Sequence, residues 1–477
     1  MFILMLVIFV LGYTAIALEH PLKIDKTASA LMIGSLTWVV YIMGSSDILG
    51  LGFSRAWEAF KLTLPANALS NPIETAKHIQ HFIVHKEILH HLGEISQILF
   101  FLLGAMTIVE IVDQYQGFKV ITDKIKTTDK VKLLWILSFL TFFMSAALDN
   151  LTTTIVLVAL IRKLIADKQT RWFYASMVVL AANAGGAWSP IGDVTTIMLW
   201  IGGQVTAANI IAMVVFPSLV TMIIPVFLLS FTMKGDVERP VSDNNGQNDF
   251  TSPKERLFIL ILGVSALLFV PVFKTLTHLP PYMGMLLGLS VLWMVTEVMA
   301  RGKSAEDQRK RSVVAILSKV DVPTVLFFLG ILSAVASLQS AGHLDLLAGF
   351  LDEELGNIYL INSAIGVLSA IVDNVPLVAG AMGMYEIADP AIIATLPAAE
   401  AAYMSHFLVD GTFWELLAFT AGTGGSILII GSAAGVAAMG MEKIDFIWYF
   451  KNISYLALIG YVAGIVAFYL QDIILHG

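Results

Sequence analysis

The chain has no cysteine, and Asp, Glu, Lys and Arg together supply only 13% of its 477 residues. The first absence excludes disulfide scaffolds, thiol catalysis and Cys-ligated metals. The second excludes an ordinary soluble surface, which draws on roughly 25% charged residues. Lys and Arg number 28 against 36 Asp and Glu, a net charge of −8, and the cations are scattered through short loops. No basic face is left for nucleic acid. The motifs GxxxxGK[ST], GxSxG and HExxH are also missing, so neither nucleotide-driven work nor two common hydrolytic chemistries have their residues.

Apolar sequence is abundant instead, at 57% of residues and spread from end to end. That pattern implies one integral membrane unit. A membrane helix needs about 20 mostly apolar residues, and windows near that length fall at 1–18, 29–50, 92–116, 206–233, 257–273, 281–299, 320–341 and 446–470. The first ends in an Ala-Ile-Ala pattern at Ala15 to Ala17, yet no positive segment precedes it, so it is expected to remain as a span. Four further apolar stretches, 133–165, 172–202, 358–384 and 412–440, are each interrupted by Asp, Asn, Gly, Ser or Pro.

Cytoplasmic loops collect Lys and Arg. Of the 28, 23 lie in the segments 19–28, 117–132, 162–171, 234–256, 300–319 and 443–451. A single topology accommodates them, with both termini outside. It requires 133–165 and 358–384 to enter and leave on one side as re-entrant hairpins, the first opening inward and the second outward.

Three echoes run through the chain in the same order. Leu99 to Gly104 reads LFFLLG and Leu326 to Gly330 reads LFFLG. The pair Asp149-Asn150, after Ser145, returns as Asp373-Asn374 after Ser369, 224 residues later. Gly185, Gly186 and Gly192 return as Gly424, Gly425 and Gly431. With the charge count, these predict an all-α membrane protein of two inverted repeats, residues 1–233 and 257–477, joined by a polar cytoplasmic linker at 234–256. Each repeat would hold about five transmembrane helices, a re-entrant hairpin and a discontinuous helix. Such inverted repeats with broken helices near the midplane mark secondary transporters.

Bare backbone is tolerated in a bilayer only where protein or a water-filled cavity surrounds it, so the interruptions locate a cavity. Hairpin tips and broken helices would bring Asp149, Asn150, Asp193, Asp373, Asn374 and Asn183 together there, with Thr152, Ser189, Thr195, Ser369 and Thr423 nearby. Oxygens of these types can replace the hydration shell of a small hard cation. An Asp at membrane depth costs about 2.5–3.5 kcal/mol on insertion scales, so each needs a partner or a task. Helix N-capping is the structural alternative. In the functional reading, burial favours the neutral acid and a bound cation favours the carboxylate, so one Asp holds either a proton or Na+. His78, His81 and His85 share a helical face in the 51–91 segment. An amphipathic helix at the outer interface is expected there, with a metal site as the alternative.

The motifs SAALDNLTTT around Asp149-Asn150, NAGGAWSPIGDVTT from Asn183 and SAIVDNVP around Asp373-Asn374 resemble those of the NhaD-type sodium/proton antiporters, in the ion transporter superfamily with divalent-anion symporters and the arsenite permease. The resemblance covers nearly the whole chain. It implies a bacterial inner-membrane antiporter exchanging Na+ or Li+ for H+, without cofactor, dimeric, with a scaffold part and a mobile transport part. Metal, as transported Na+, would sit at Asp149, Asp193 and Asp373. The superfamily's dicarboxylate symporters carry Ser-Asn-Thr where this chain carries Asp before each hairpin Asn. Fixed negative charge attracts a cation and repels a dianion, so transport of dicarboxylate or arsenite is the alternative, followed by an intramembrane hydrolase and a channel. The second half is an unequal copy, with Ser432 in the place of Asp193 and Thr423 near that of Asn183.

Overall fold

The computed structural model describes residues 1–17, 19–65, 68–240, 251–301 and 312–476. Within these residues the chain is helical, with one isolated β-bridge between Asp129 and Asp236 and no strand. Eight described helices are long and apolar enough to cross a membrane, among them Lys26–Met43, Lys130–Leu148, Ala207–Ser230, Pro253–Thr277 and Val322–Ser340. Large apolar side chains stay exposed along them, including Phe231, Ile261, Leu268 and Met294. On so little polar surface, such faces are lipid contacts. Part of the expected linker, residues 241–250, lies outside the described residues, as does 302–311 within the predicted 300–319 loop.

Compact packing divides the chain differently from the two sequence halves. One unit comprises Met1–Leu99, Asp321–Ile361 and Val375–Phe407, and the other comprises Phe100–Val320, Asn362–Asn374 and Leu408–Gly477. Each draws on both halves.

In the first unit, Lys26–Met43 packs along Val322–Ser340. Glycine allows the approach, because a Cβ on Gly34 would fall 2.4 Å from the Gly330 carbonyl oxygen. Small residues at a crossing let two membrane helices gain contact that larger ones would forbid. Trp38 Nε1 then donates to the Ser333 carbonyl at 3.0 Å and Tyr41 Oη to that of Ser340 at 3.1 Å. The histidine segment differs from expectation. Pro72–His81, a π-helical stretch Phe82–Ile88 and Leu89–Gln114 follow one another without interruption, because no breaker stands between Pro72 at the helix start and Gly93. His91 lies 3.7 Å from Glu87 and 3.4 Å from Glu94. No group of three or more His, Cys, Asp or Glu among the described residues is arranged to hold a metal.

In the second unit, Lys130–Leu148 and Asn150–Leu164 pack on one another and along Lys168–Ala187. Their outer ends meet one short segment, where Lys130 N–H donates to the Gly235 carbonyl at 3.0 Å and Ala166 N–H to that of Glu238 at 2.8 Å. Residues 130–164 thus enter and leave at the same end, as a re-entrant hairpin must. Trp172 and Phe173 meet Trp448 edge-on at the same end. Segments from four basic stretches, 117–132, 162–171, 234–256 and 443–451, therefore gather at one end of this unit. The other end holds Lys274, whose Nζ donates to the Trp200 carbonyl at 2.6 Å. The two expected broken helices are present as Lys168–Ala187 with Val194–Gly202, and Thr412–Gly424 with Ala433–Glu442.

Candidate functional site

The interruptions arise from local chemistry. After Leu148 the backbone turns through Asp149 at φ 77°, ψ 160°, a strained conformation that residues with a side chain rarely adopt. The Asp149 carboxylate then caps the next helix, accepting from the Thr152 amide and the Thr152 hydroxyl, both at 2.8 Å. The following break is built by glycine. A Cβ on Gly185 would fall 2.2 Å from the Phe142 carbonyl oxygen, and one on Gly186 would fall 2.5 Å from that of Gly192. No other residue permits the chain to pass so close. Ser189 fixes the bend by donating to the Ala146 carbonyl at 2.5 Å. Asp193 restarts the helix, accepting from the Thr195 amide at 3.1 Å.

The second half repeats these devices. Ser369 Oγ donates to the Ala421 carbonyl at 2.8 Å, as Ser145 Oγ donates to that of Ala182 at 2.6 Å. A Cβ on Gly424 would fall 1.9 Å from the Gly366 carbonyl oxygen, matching Gly185 and Phe142. Ser432 caps Ala433–Glu442 by accepting from Gly435 N–H at 3.2 Å. This is the position that Asp193 holds in the first half.

These elements converge on Asp193, which is 1% exposed. Its Oδ2 accepts from Asn150 Nδ2 at 2.7 Å, and Asn374 Nδ2 stands 3.4 Å from both of its oxygens. Asn150 Nδ2 also donates to Asn183 Oδ1 at 3.1 Å, and Asn183 Nδ2 to the hydroxyls of Ser426 and Ser432, both at 2.9 Å. One buried network therefore joins the two hairpin asparagines, the first broken helix and the second. Asp149 and Asp373 lie close enough for their charges to act on Asp193. Among the described residues, neither Asp149 nor Asp193 forms an ion pair. A buried charge without a counter-charge is costly, and amide donors alone offset part of that cost. The arrangement can receive a small cation or a proton.

Of the residues singled out from sequence, Asp193, Asn150, Asn183 and Asn374 share this network directly. Asp149 and Thr152 pair with each other beside it. Ser189 and Ser369 spend their hydroxyls on hairpin and broken-helix carbonyls, and Thr423 donates to the Phe419 carbonyl of its own helix at 2.6 Å. Thr195 contributes its amide. Ser426 was not legible as a participant, since nothing in a run of Gly, Ser and Ile marks which residue of a break turns inward. Glu415, 1% exposed and paired with Asn209 Nδ2, also carried no motif.

A family model described as citrate transporter matches residues 4–407. Sodium/proton antiporter 2 of Arabidopsis thaliana is 42% identical over 467 residues, covering 97% of this chain and 98% of the relative. Sodium/proton antiporter 1 of the same plant is 44% identical over 466 residues, covering 97% and 71%. The Na(+)/H(+) antiporter NhaD of Alkalimonas amylolytica is 29% identical over 484 residues, covering 96% and 88%.

Proposed function

The chain belongs to the NhaD-type sodium/proton antiporter family, and from that membership we propose that it exchanges Na+, or Li+, for H+ by alternating access, with Asp193 holding cation and proton in turn. It is a multi-pass membrane transporter, not an enzyme, and exchange of this kind calls for no cofactor. The observation that carries the reading is the carboxylate of Asp193, fully buried and held by amides of Asn150 and Asn374. Fixed amides keep an ionised carboxylate soluble at membrane depth without neutralising it, so its charge remains available to Na+. When Na+ leaves, desolvation favours the neutral acid, and a proton takes its place. Asp149 and Asp373 add negative potential around the same point, and Asn183, Ser426 and Ser432 set the orientation of Asn150 through the network.

The matching pairs Ser145 with Ser369 and Gly185 with Gly424 support two repeats related by inverted topology, with boundaries at 1–233 and 257–477. The gathering of basic segments at one end of the second unit supports a cytoplasmic placement of that end and external termini. The resemblance supports a homodimer in a bacterial inner membrane.

A second reading comes from the family model's description, transport of a carboxylate anion such as citrate. Asp193 with Asp149 and Asp373 around it opposes that reading, since a dianion would meet like charge.

Proteoliposomes holding a preset proton gradient, reported by a pH-sensitive dye, test the proposal when Na+, Li+, K+ or citrate is added. Collapse of the gradient by Na+ or Li+, lost in Asp193→Asn, is expected. Uptake of labelled citrate without any response to cations would overturn it.

A further inference from the structure

The second unit contains a cavity of about 800 Å³ that has no part in the Asp193 network. It lies at the end where the basic segments gather, between the second hairpin arm and the stretch that follows Leu89–Gln114. Its volume is in the range of small-molecule sites, about 300–1,000 Å³. Around it stand four cationic side chains, Lys119, Lys126, Lys163 and Arg239, against the two carboxylates Asp113 and Asp123. Arg239 Nη2 donates to the Lys126 carbonyl at 2.9 Å and so fixes one rim. Among the described residues, the ammonium groups of Lys126 and Lys163 make no hydrogen bond or ion pair, although the charge of Lys163 acts on Asp113.

The remaining wall is apolar and ordered by depth. Ile155, Ala159 and Lys163 line the cavity at successive spacings of four on the second arm, which places them on one helix face. From Ile155 to Lys163 the helix rises about 12 Å, at about 1.5 Å per residue. The face is apolar towards the buried hairpin tip and cationic towards the outer end. Ile155 is 42% exposed, and Val156 and Leu160 extend the same wall. A free anion would use the cationic rim and leave this wall without a partner. A transported cation would meet four positive charges on entering.

We propose that this cavity binds an anionic phospholipid, its phosphate headgroup among Lys126, Lys163 and Arg239 and its acyl chains against Ile155 and Ala159. Cationic pockets between membrane helices on the cytoplasmic side take headgroups of this class. The lipid bridges the second arm to the rim that carries Lys126, and so restrains the hairpin whose tip holds Asp149 and Asn150.

Native mass spectrometry tests this on the full-length protein, delipidated in neutral detergent and titrated with dioleoyl phosphatidylglycerol, dioleoyl phosphatidylcholine or inorganic phosphate. Phosphatidylglycerol is expected to be retained over phosphatidylcholine, and inorganic phosphate not to displace it. Each lysine near an anionic lipid contributes about a factor of five, so Lys126→Gln with Lys163→Gln is expected to lower retention at least about tenfold. Lys130→Gln with Lys132→Gln, an equal loss of charge at residues that do not line the cavity, should retain the lipid as wild type does. Both cavity lysines are exposed, and if the double variant is not monodisperse, Lys163→Gln alone carries the comparison. Equal retention of the two lipids, or of phosphatidylglycerol by wild type and cavity variant, would overturn the site. Displacement of the lipid by inorganic phosphate would overturn the lipid assignment in favour of a free anion.

Discussion

Glu442 receives the Nε–H of both Arg162 and Arg171, at 2.6 and 2.9 Å, with its own side chain only 1% exposed. Arg162 stands in the last turn of the second hairpin arm, Arg171 in the first turn of Lys168–Ala187, and Glu442 at the end of Ala433–Glu442. Trp172 Nε1 adds a bond to the Glu442 carbonyl at 3.0 Å. The carboxylate therefore ties a hairpin, a broken helix of the first half and a broken helix of the second.

Removing one member of a buried ion pair costs about 3–5 kcal/mol, but Arg162 is 47% exposed and can be rehydrated. The expectation for Glu442→Gln is therefore a smaller loss, about 1–3 kcal/mol. It should appear as a lower melting temperature of the purified protein, with the Asp193 site intact and exchange retained at low temperature. An unchanged melting temperature would remove Glu442 from the structural account.

Glycine at the two matched crossings leads to a second expectation. A methyl group on Gly185 would meet the Phe142 carbonyl, and one on Gly424 the Gly366 carbonyl, at distances below any real contact. Backbone atoms cannot yield as a flexible side chain can. Gly185→Ala and Gly424→Ala should each abolish accumulation of folded protein, read as fluorescence of a fused reporter after size exclusion. Gly380→Ala, with nothing within 4 Å of the added carbon, should accumulate as wild type does. Normal accumulation of both crossing variants would mean that the breaks are wider than described.

The elements most legible in the sequence were those set by composition or by backbone requirement. Long apolar runs marked the spans, Asp149 marked a break as a carboxylate in an apolar run, and Gly185, Gly186 and Gly192 marked another because backbone passes too close there for a side chain. Asp193, Asn150, Asn183 and Asn374 were legible because polar side chains in apolar surroundings need a reason. What escaped was pairing across long separations. Glu442 sits near a loop, where exposure is the default for a carboxylate, and only the fold brings Arg162 and Arg171 to it. Ser426 joins the network through the path of an irregular segment, which no periodicity encodes. The sequence separates an interfacial helix in the 51–91 segment from a span at 92–116, where the structure has one continuous helix over Pro72–Gln114, because the polar histidines weaken the apolar signal without breaking the backbone.

If Asp193 takes Na+ and H+ in turn, the two ions compete. As pH falls, the empty site holds a proton for a larger share of time, and Na+ must displace it. The apparent KM for Na+ should rise by up to about tenfold per pH unit on the acid side, the limit for one proton exchanged. The maximal rate at saturating Na+ should change much less. Initial rates in proteoliposomes at several pH values and Na+ concentrations decide this, and a KM independent of pH would sink the single-carboxylate mechanism.

Asp149 poses a sharper question, because its carboxylate already has a structural task as the cap of Asn150–Leu164. Two substitutions separate charge from capping. Asn is as good an N-cap as Asp and matches it in size and shape, so the positive φ strains both alike, and Asp149→Asn removes the charge and keeps the turn. Ala removes both, and loss of a cap costs about 1 kcal/mol. If the charge of Asp149 supports cation binding at Asp193, Asp149→Asn should fold as wild type does yet need a much higher Na+ concentration for half-maximal exchange. Asp149→Ala should show the same defect together with a lower melting temperature. Wild-type exchange by Asp149→Asn, with a loss only in Asp149→Ala, would assign Asp149 to the turn alone and leave the ion to Asp193 and Asp373.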